Sequence, residues 1–208
     1  MQTISSFYVT PSLYSDYYWY LKKDSDPEAE KEDFLKVLRK EPKEQTSSMR
    51  AGIEFEKIIK DVAEGKANTD RDDINEIANL VKGGFWQERI KKMMGDTLLY
   101  GVADVITPYC IYDIKFTTSK YELGKYDYSI QHLLYMYCTG IPHFKYLIGN
   151  GENVFIEEHS WNDDSLSTLK SRVYQMIEFI RGYEEFKEAF ESNWRVKWER
   201  VPRVLGSY

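Results

Sequence analysis

The residues best suited to carry out chemistry lie in the stretch 101–115, which reads GVADVITPYCIYDIK. Its pattern predicts two short apolar strands joined by a turn at residues 107–109, and each strand carries an aspartate that a buried strand normally excludes. If the strands pair as a hairpin, Asp104 lies near Asp113. Asp113 and Lys115 are two residues apart, so they share one face of their strand, about 7 Å apart. The pattern therefore brings two carboxylates and one ammonium group together at one end of a sheet.

Two neighbouring carboxylates repel each other unless a cation lies between them. Mg²⁺ suits such a site because it prefers oxygen ligands and keeps several of its waters. A metal held in this way activates water, and a nearby lysine can orient that water or stabilise developing negative charge. This chemistry suits the hydrolysis of a phosphodiester. For a single Asp-x-Lys pattern, however, an ordinary ion pair on a solvated sheet face is the commoner interpretation.

A helix predicted over residues 50–62 carries a further acid that could add to this site. Gly52 and Glu56 lie one turn apart at the edge of its apolar stripe. The glycine permits a close approach, and the acid one turn later can face a site. The alternative is that Glu56 is a surface glutamate.

Polar residues that suit a phosphate follow the strand of the second aspartate. Ser119 and Lys120 come directly after it and suit phosphate contacts. Gln131 and Tyr135 lie one turn apart on the flank of a helix predicted over 128–139, where both side chains can hydrogen-bond a phosphate or a water on the metal. A hydrogen-bonded pair on the flank of the helix explains these two residues equally well.

The composition is that of a globular protein. The chain has 208 residues, of which 42% are hydrophobic, 15% aromatic and 30% charged, and this length suffices for one domain with a full core. The apolar content excludes a disordered chain. A formal net charge of −6 counts mildly against a nucleic-acid partner, because phosphate contacts need Lys and Arg. A local basic groove and a set of acidic metal ligands are both compatible with that charge.

The cysteines and the apolar segments indicate the cellular compartment of the protein. Cys110 falls in a predicted strand and Cys138 in a predicted helix, and free thiols in a reducing compartment are favoured over a disulfide or a metal pair. The first residues carry no basic segment followed by an apolar run, and no stretch is long and apolar enough to span a membrane. We therefore expect a soluble, cytoplasmic protein.

The elements that must position these residues follow from hydrophobic periodicity. Helices are predicted over 13–21, 50–62, 73–82 and 128–139, and strands over 85–94, 97–106, 111–117, 143–148 and 153–161. The three consecutive strands predict an antiparallel meander, and Asn150-Gly151 predicts a hairpin turn between the last two strands. Ser12 is the candidate cap of the first helix, whose aromatic residues are interpreted as core rather than as base-stacking groups. Segment 24–48 predicts a short exposed helix in a solvated connector, with a mobile flap as the alternative.

The C-terminal part predicts one long helix and a basic tail. Asp163-Asp164-Ser165 can cap the helix, and its apolar positions continue to Phe190. The tail is the most basic stretch of the chain and suits a nucleic-acid contact, an oligomer arm or a docked terminal segment. Residues 1–208 are thus expected to form one domain, with an N-terminal helical part at about 1–83, the sheet core and last helix at about 84–191, and the tail at 192–208.

This order of elements and acids resembles the PD-(D/E)XK nuclease superfamily, and within it the branch of RecB-type and phage lambda-type exonucleases. The motifs of that branch run as G-x-x-x-E/H on a helix, G-x-x-D on a strand, D/E-x-K on the next strand and Q-x-x-x-Y on a helix. In this chain they read Gly52-Ile53-Glu54-Phe55-Glu56, Gly101-Val102-Ala103-Asp104, Asp113-Ile114-Lys115 and Gln131-His132-Leu133-Leu134-Tyr135. Each motif is weak alone, but four in order, each on its predicted element, make a fairly specific set. The resemblance covers roughly residues 10–140.

The resemblance implies an α/β (α+β) fold with a restriction-endonuclease-like core, in which helices flank a central mixed β-sheet. It also implies a metal site. Asp104 and Asp113 would ligate Mg²⁺, with Mn²⁺ as a substitute, the backbone carbonyl of Ile114 would add a ligand, and Glu56 would supply a further acid. Lys115 would orient the attacking water or stabilise the phosphate during cleavage.

The resemblance further implies that Gln131 and Tyr135 position a DNA end or the water. Two departures from the pattern are small: alanine at position 103 replaces the proline of many relatives, and glutamate at position 56 replaces the histidine of many relatives. The glutamate favours the phage exonuclease type. The chain lacks the four cysteines of the iron–sulfur versions and carries no helicase motifs.

The implied activity is that of a metal-dependent DNA exonuclease in phage or bacterial recombination or repair, acting on linear, end-bearing DNA. An endonuclease of the same superfamily and a non-catalytic DNA-binding module with a relict site are the alternatives. The intact acid–acid–lysine set argues against the relict site, and the net charge of −6 argues mildly for it. A single-strand annealing protein or a helicase as partner, and a homo-oligomer, stay open, and no membrane is implied.

Overall fold

The structure is a computed structural model that describes residues 6–23 and 26–196. Its elements are β1 (Phe7–Val9), α1 (Pro11–Lys22), α2 (Pro27–Arg39), α3 (Ser47–Ala63), α4 (Asp72–Leu80), β2 (Phe85–Met94), β3 (Thr97–Ile106), β4 (Ile111–Phe116), α5 (Gln131–Thr139), β5 (His143–Gly149), β6 (Val154–Ser160), α6 (Ser165–Gly182) and α7 (Glu184–Asn193). The basic tail predicted over 192–208 lies outside the described residues from position 197 onward.

The strands form one mixed sheet, which confirms the predicted α/β fold with a central mixed sheet and flanking helices. Its order is β1-β3-β4-β5-β6, and β2 pairs with β3 outside this path. The pairs β2–β3, β3–β4 and β5–β6 are antiparallel, so the predicted meander and the later hairpin are confirmed. β4 and β5 run parallel, because a crossover through α5 separates them in the chain.

Helices cover both faces of the sheet, and the period of two along the strands explains how. Tyr146 and Ile148 of β5 belong to a large apolar cluster with residues of α1, α2, α5, α6 and α7. Leu147, between them, belongs to a second cluster with α3 and α4. Alternate residues of one strand thus enter two cores. Burial of these side chains supplies the main driving force for folding.

Helix α1 begins two residues earlier than the sequence predicts. The Thr10 hydroxyl accepts the N–H of Leu13 at 3.1 Å, and Pro11 occupies the first turn. Thr10, not Ser12, is therefore the cap, since a proline directly after the cap lacks the N–H that would otherwise be unsatisfied. Leu13 and Tyr17 are buried, so the interpretation of the aromatic run as core is confirmed at these positions.

Helix α2 exists within the segment 24–48, but it is not the exposed helix that its charge suggested. Phe34, Leu35 and Leu38 are buried, and the Leu38 carbonyl accepts the indole N–H of Trp194 at 3.0 Å. Few apolar residues stand out in this Glu- and Lys-rich stretch. The groups that bury them come from α1, where Tyr20 stacks on Phe34, and from the far end of the chain, where Phe186 packs against the same ring. Local periodicity therefore underestimates their burial.

The single long helix predicted for the C-terminal part is two helices. Tyr183 adopts an extended backbone, with φ −118° and ψ 120°, between α6 and α7. The bend returns Phe190 to the core, where its ring stacks on Phe7 with 5.2 Å between centroids. Strand β1, which contains Phe7, was not predicted, because three residues are too few to show alternation. Helix α5 begins at Gln131 rather than at residue 128.

Cys110 is buried, Cys138 is partly buried, and both are free thiols. Among the helices of residues 6–23 and 26–196, none combines the length and apolar character that a membrane crossing requires.

Candidate active site

The pairing of β3 is interrupted along one edge, and this interruption marks the site. β2 occupies the other edge from Thr97 to Ile106. On the interrupted edge, β1 pairs as far as Leu99, and β4 pairs only with Val105 and Ile106. On this edge, between β1 and β4, no strand of the described chain pairs with residues 100–104. A pocket opens there.

The pocket brings together five of the residues singled out in the sequence. Its volume is about 690 Å³, and Asp104, Asp113, Lys115, Gln131 and Tyr135 line it. β3 and β4 supply the charged groups, and the first turns of α5 supply the glutamine and the tyrosine. The start of α1 also contributes to the wall.

Strands β3 and β4 diverge where the two aspartates lie. The register that pairs Val105 with Tyr112 would place Asp104 opposite Asp113, but the ladder ends before that pair. Instead, Oδ2 of Asp104 accepts the N–H of Ile114 at 2.8 Å. The side chain thus replaces a strand hydrogen bond, and both carboxylates reach the same pocket.

The environment of Asp104 disfavours its charged form. Desolvation raises the pKa of Asp104 well above the ordinary aspartate value, and the charge of Asp113 raises it further. Lys115 and the Ile114 N–H act in the opposite direction without cancelling these effects. The carboxyl group therefore favours a proton unless another cation takes its place.

Asp113 is 1% exposed and is held from two sides. The Gln131 amide donates to Oδ1 at 2.5 Å, and Nζ of Lys115 lies 2.5 Å from Oδ2. Oδ2 is buried, and the ammonium group of Lys115 is its charged partner. A carboxylate oxygen is also the type of ligand that a divalent cation prefers.

Lys115 stays charged in this pocket. Burial alone lowers the pKa of its ammonium group, but the charges of Asp113 and Asp104 outweigh burial and raise the pKa above the ordinary lysine value. The side chain is still one-third exposed. A charged amine is thus available at the mouth of the pocket across the range of pH in which proteins work.

Glu56 approaches the site from α3, and a residue that the sequence did not single out holds it there. The Gln87 amide donates to Oε1 of Glu56. Gln87 has a φ of 55° inside β2, and the β2–β3 ladder is interrupted where it lies opposite Asp104. A left-handed backbone costs a non-glycine residue roughly 1–2 kcal/mol. Such strain in a strand often marks a functional site.

The pKa of Glu56 reflects the same surroundings. Desolvation raises it above the ordinary glutamate value, the hydrogen bond from Gln87 lowers it in part, and Asp113 raises it again. No sequence signal would have found Gln87, because its neighbours form a regular strand pattern and its role depends on contact with α3. A strand residue that adopts positive φ is visible only in three dimensions.

Gly101 makes room for Tyr135. A methyl group at Gly101 would lie 2.4 Å from Cε1 of Tyr135. The tyrosine hydroxyl donates to the Val102 carbonyl at 2.7 Å, so it satisfies one of the carbonyls on the interrupted edge of β3. Gly52 is different, because nothing lies within 4 Å of a methyl group placed there.

The remaining candidate residues lie elsewhere or make other contacts. Ser119 is exposed, and its N–H and hydroxyl contact the Thr117 hydroxyl. Lys120 lines a separate hollow. Neither residue lines the pocket described above. Ile114 contributes its N–H to the site.

Two tyrosines that precede α5 line the pocket and were not singled out. They are Tyr126 and Tyr128. Tyr128 stacks on Tyr18 with 4.3 Å between centroids and accepts the indole N–H of Trp19 at 3.1 Å. The concentration of tyrosine residues just before the Gln-x-x-x-Tyr pattern was the sequence signal that could have indicated these two residues.

A second acidic cluster lies outside the lining of the pocket. The candidate ligand atoms of Asp127, Glu157 and His159 lie within 4.8 Å of one another, and this is the one such set in the described part of the chain. Both oxygens of Glu157 already have partners, since Tyr121 donates to Oε2 and the His159 ring lies 3.0 Å from Oε1. The cluster is therefore a hydrogen-bonded network of the protein itself.

The pocket fits a divalent cation in charge and in donor type. Asp104, Asp113 and Lys115 line the pocket, and Glu56 lies outside this lining but interacts electrostatically with Asp113 and Lys115. When the three acids are ionised and the lysine is charged, this set carries the two negative charges that one divalent cation neutralises. The donors are carboxylate oxygens, as Mg²⁺ and Mn²⁺ prefer.

Comparison with known proteins supplies fold neighbours only. No family model matches the sequence, and no curated protein matches it significantly. The fold is similar to that of the protein SSO0001, with 12% identity and a TM-score of 0.53 over 83% of this chain and 76% of that one. It is also similar to an alkaline exonuclease, LHK-Exo, from Laribacter hongkongensis, with 13% identity and a TM-score of 0.52 over 86% and 90%. A second structure of LHK-Exo, in complex with dAMP, matches with a TM-score of 0.51.

Proposed function

We propose that this chain is a divalent-metal-dependent DNA exonuclease of the PD-(D/E)XK superfamily. One observation carries the proposal: Asp104, Asp113 and Lys115, with Gln131 and Tyr135, line one pocket at the interrupted edge of β3. Two acids and an amine that meet at a diverging strand pair suit phosphodiester hydrolysis. An isolated ion pair on a sheet face would not need the other polar groups.

The fold neighbours support the choice of substrate. LHK-Exo is an alkaline exonuclease, and one of its structures contains dAMP. The four motifs of the resemblance lie on the helix, the two strands and the helix that the family pattern requires. Together these points favour linear DNA as the substrate. The resemblance adds the proposed setting, which is phage or bacterial recombination or repair.

Asp104 and Asp113 would hold the metal, with Glu56 as a further acid and the Ile114 carbonyl as an additional ligand. The ion supplies Lewis-acid activation of water and neutralises charge on the phosphate. A metal at Asp104 replaces the proton that its raised pKa favours.

The other side chains act on the substrate. The Lys115 ammonium stabilises negative charge as it develops on the phosphate, or orients the water that attacks it. Gln131 donates to Asp113 and so fixes the direction of that carboxylate. Tyr135 fills the gap along β3 by its bond to Val102, which keeps the wall of the pocket closed and places the ring beside the substrate.

The decisive experiment is digestion of end-labelled linear DNA and covalently closed circular DNA, each with and without Mg²⁺. An exonuclease degrades only the linear form, and an endonuclease also cuts the circle. We expect Asp113→Asn and Lys115→Ala to lower the rate by about 10²-fold or more, a loss typical of a group that stabilises transition-state charge. A wild-type rate on linear DNA in both variants would refute the assignment.

Asp163→Asn is the matched control for the aspartate variant, because Asp163 is exposed and precedes α6 away from the pocket. It makes the same chemical change without removing a group of the pocket. Far-UV circular dichroism and thermal melting of all three variants separate loss of activity from loss of fold. A protein that binds DNA in Ca²⁺ but never cleaves it would instead favour the relict module.

A further inference from the structure

A second groove adjoins the catalytic pocket and is lined by positive charge. Its volume is about 930 Å³, and Lys40, Lys91, Lys92 and Arg195 line it with Tyr8 and Tyr100. Its lining, as far as the structure describes the chain, contains no acidic side chain. Tyr100 also lines the catalytic pocket, so the two hollows share a wall. On a chain with a net charge of −6, this concentration of cations needs a cause.

The register of β2 on β3 connects the groove to the catalytic acids. Lys91 lies opposite Tyr100 and Arg89 lies opposite Val102. Positions two apart on a strand share a face and are separated by about 7 Å. Two exposed basic side chains, those of Arg89 and Lys91, therefore follow β2 from the position opposite Val102 toward the groove. The spacing between these basic side chains resembles that of successive phosphates along an extended single strand of DNA.

Neutral groups hold part of this charge. Nζ of Lys92 donates to the Tyr137 carbonyl at 2.9 Å and lies 4.5 Å from the centre of the Tyr137 ring. Neither contact cancels the charge. Arg195 lies 3.7 Å from Glu191, a long, exposed pair of small energetic weight. The groove thus keeps a positive potential that an anionic polymer can meet.

We propose that this groove binds the sugar–phosphate backbone of a single DNA strand whose end lies in the catalytic pocket. The proposal rests on the proposed function and names the form of the substrate. A basic groove with aromatic side chains along it is the arrangement that binds single strands, because cations follow the backbone and rings stack on bases. The strand leaves the pocket past Tyr100 and runs toward the end of α7.

Binding without metal tests the groove separately from catalysis. The double variant Lys91→Gln/Arg195→Gln removes two exposed cations of the groove. Its binding to a fluorescein-labelled single-stranded oligodeoxynucleotide is measured by anisotropy in EDTA over a range of NaCl concentrations. We expect several-fold weaker binding at low salt. The slope of log K against log salt should flatten by about 1.4, since each lost phosphate contact on a single strand contributes about 0.7.

The control is Lys66→Gln/Lys82→Gln, which changes the net charge equally. Both lysines are exposed, and Lys82 lines a different hollow, between α3 and α4. An equal loss of single-strand binding in both double variants would overturn the proposal. A groove variant that weakens only the binding of duplex DNA would also overturn it. Because no hydrolysis occurs in EDTA, an inactive enzyme that still shows the expected slopes would refute the nuclease proposal alone.

Discussion

Asp113 is a buried carboxyl group that two neighbouring side chains hold in place. Gln131 donates to one oxygen and Lys115 lies against the other. The sequence predicted this neighbourhood in part, because Asp113 and Lys115 lie two apart on one strand and the hairpin brings Asp104 beside them. Local spacing was sufficient for these three residues.

Gln87 is the opposite case at the same scale. Its contact with Glu56 joins β2 to α3, and neither the strand nor the helix predicts the other as its neighbour. The left-handed backbone at Gln87 accompanies that contact. A single sequence contains no pattern from which it could be inferred.

Replacing Gln87 should separate the hydrogen bond from the strain. Gln87→Ala and Gln87→Gly both remove the donor to Glu56, so both should raise the Mg²⁺ concentration for half-maximal cleavage by about tenfold, a typical loss when a partner of a metal-site acid is removed. The glycine variant should be more stable than the alanine variant by roughly 1 kcal/mol, because glycine adopts positive φ without strain. Metal titration of the rate and urea unfolding measure the two effects.

Glu88→Ala serves as the control, since Glu88 is exposed on the same strand. It should leave the metal requirement unchanged. An unchanged metal requirement in both Gln87 variants would show that Glu56 does not depend on this contact.

At the scale of elements, the interruption along β3 creates the site. The strands themselves were predicted from alternation of apolar and polar residues, and β2 to β6 lie close to their expected bounds. The interruption was not predicted, because it depends on β1, a three-residue strand, and on the short pairing of β4 with β3. Both are consequences of tertiary packing, which periodicity does not contain.

Two glycine substitutions test how Tyr135 of α5 fills the gap along β3. Gly101→Ala should destabilise the protein by about 1–3 kcal/mol, the usual cost of overpacking, because the new methyl group overlaps the Tyr135 ring. Its cleavage rate should fall as the ring moves. Gly52→Ala should stabilise α3 by about 0.5–1 kcal/mol, since its methyl group meets open space. Urea unfolding measures the change in the free energy of unfolding for each variant. Equal destabilisation by both substitutions would contradict the packing described for Tyr135.

At the scale of the molecule, the distribution of charge matters more than its sum. The net charge of −6 argued mildly against a nucleic-acid partner, yet four cations line one groove and three acids gather near the adjoining pocket. Composition averages over both regions. The fold separates them, and only the three-dimensional arrangement shows which part of the surface an anion can approach.

Stability should depend jointly on metal and pH. The raised pKa of Asp104 means that its contribution to stability is present below the unfolded value near 3.9 and is lost as pH rises through the folded value. Mg²⁺ should therefore raise the melting temperature at pH 8 and raise it progressively less as the pH falls, because protons and metal compete for the same carboxylate. Differential scanning fluorimetry over pH and Mg²⁺ measures this.

Asp104→Asn supplies the internal check, because asparagine resembles the protonated acid. Without metal at neutral pH, this variant should be at least as stable as the wild type, and Mg²⁺ should shift its melting temperature little. A metal shift of wild-type size in Asp104→Asn, or a wild-type shift that ignores pH, would place the ion elsewhere.

The two aspartates and the lysine come from a short stretch, residues 104–115, whose turn is closed by the Thr107 N–H to the Cys110 carbonyl at 2.9 Å. Hairpins of this kind form within microseconds, well before distant segments dock. From these timescales we expect the like charges to meet during folding before α5 brings Gln131 to them. The order of assembly, and not only the finished pocket, then favours the presence of a dissolved divalent ion while the chain matures.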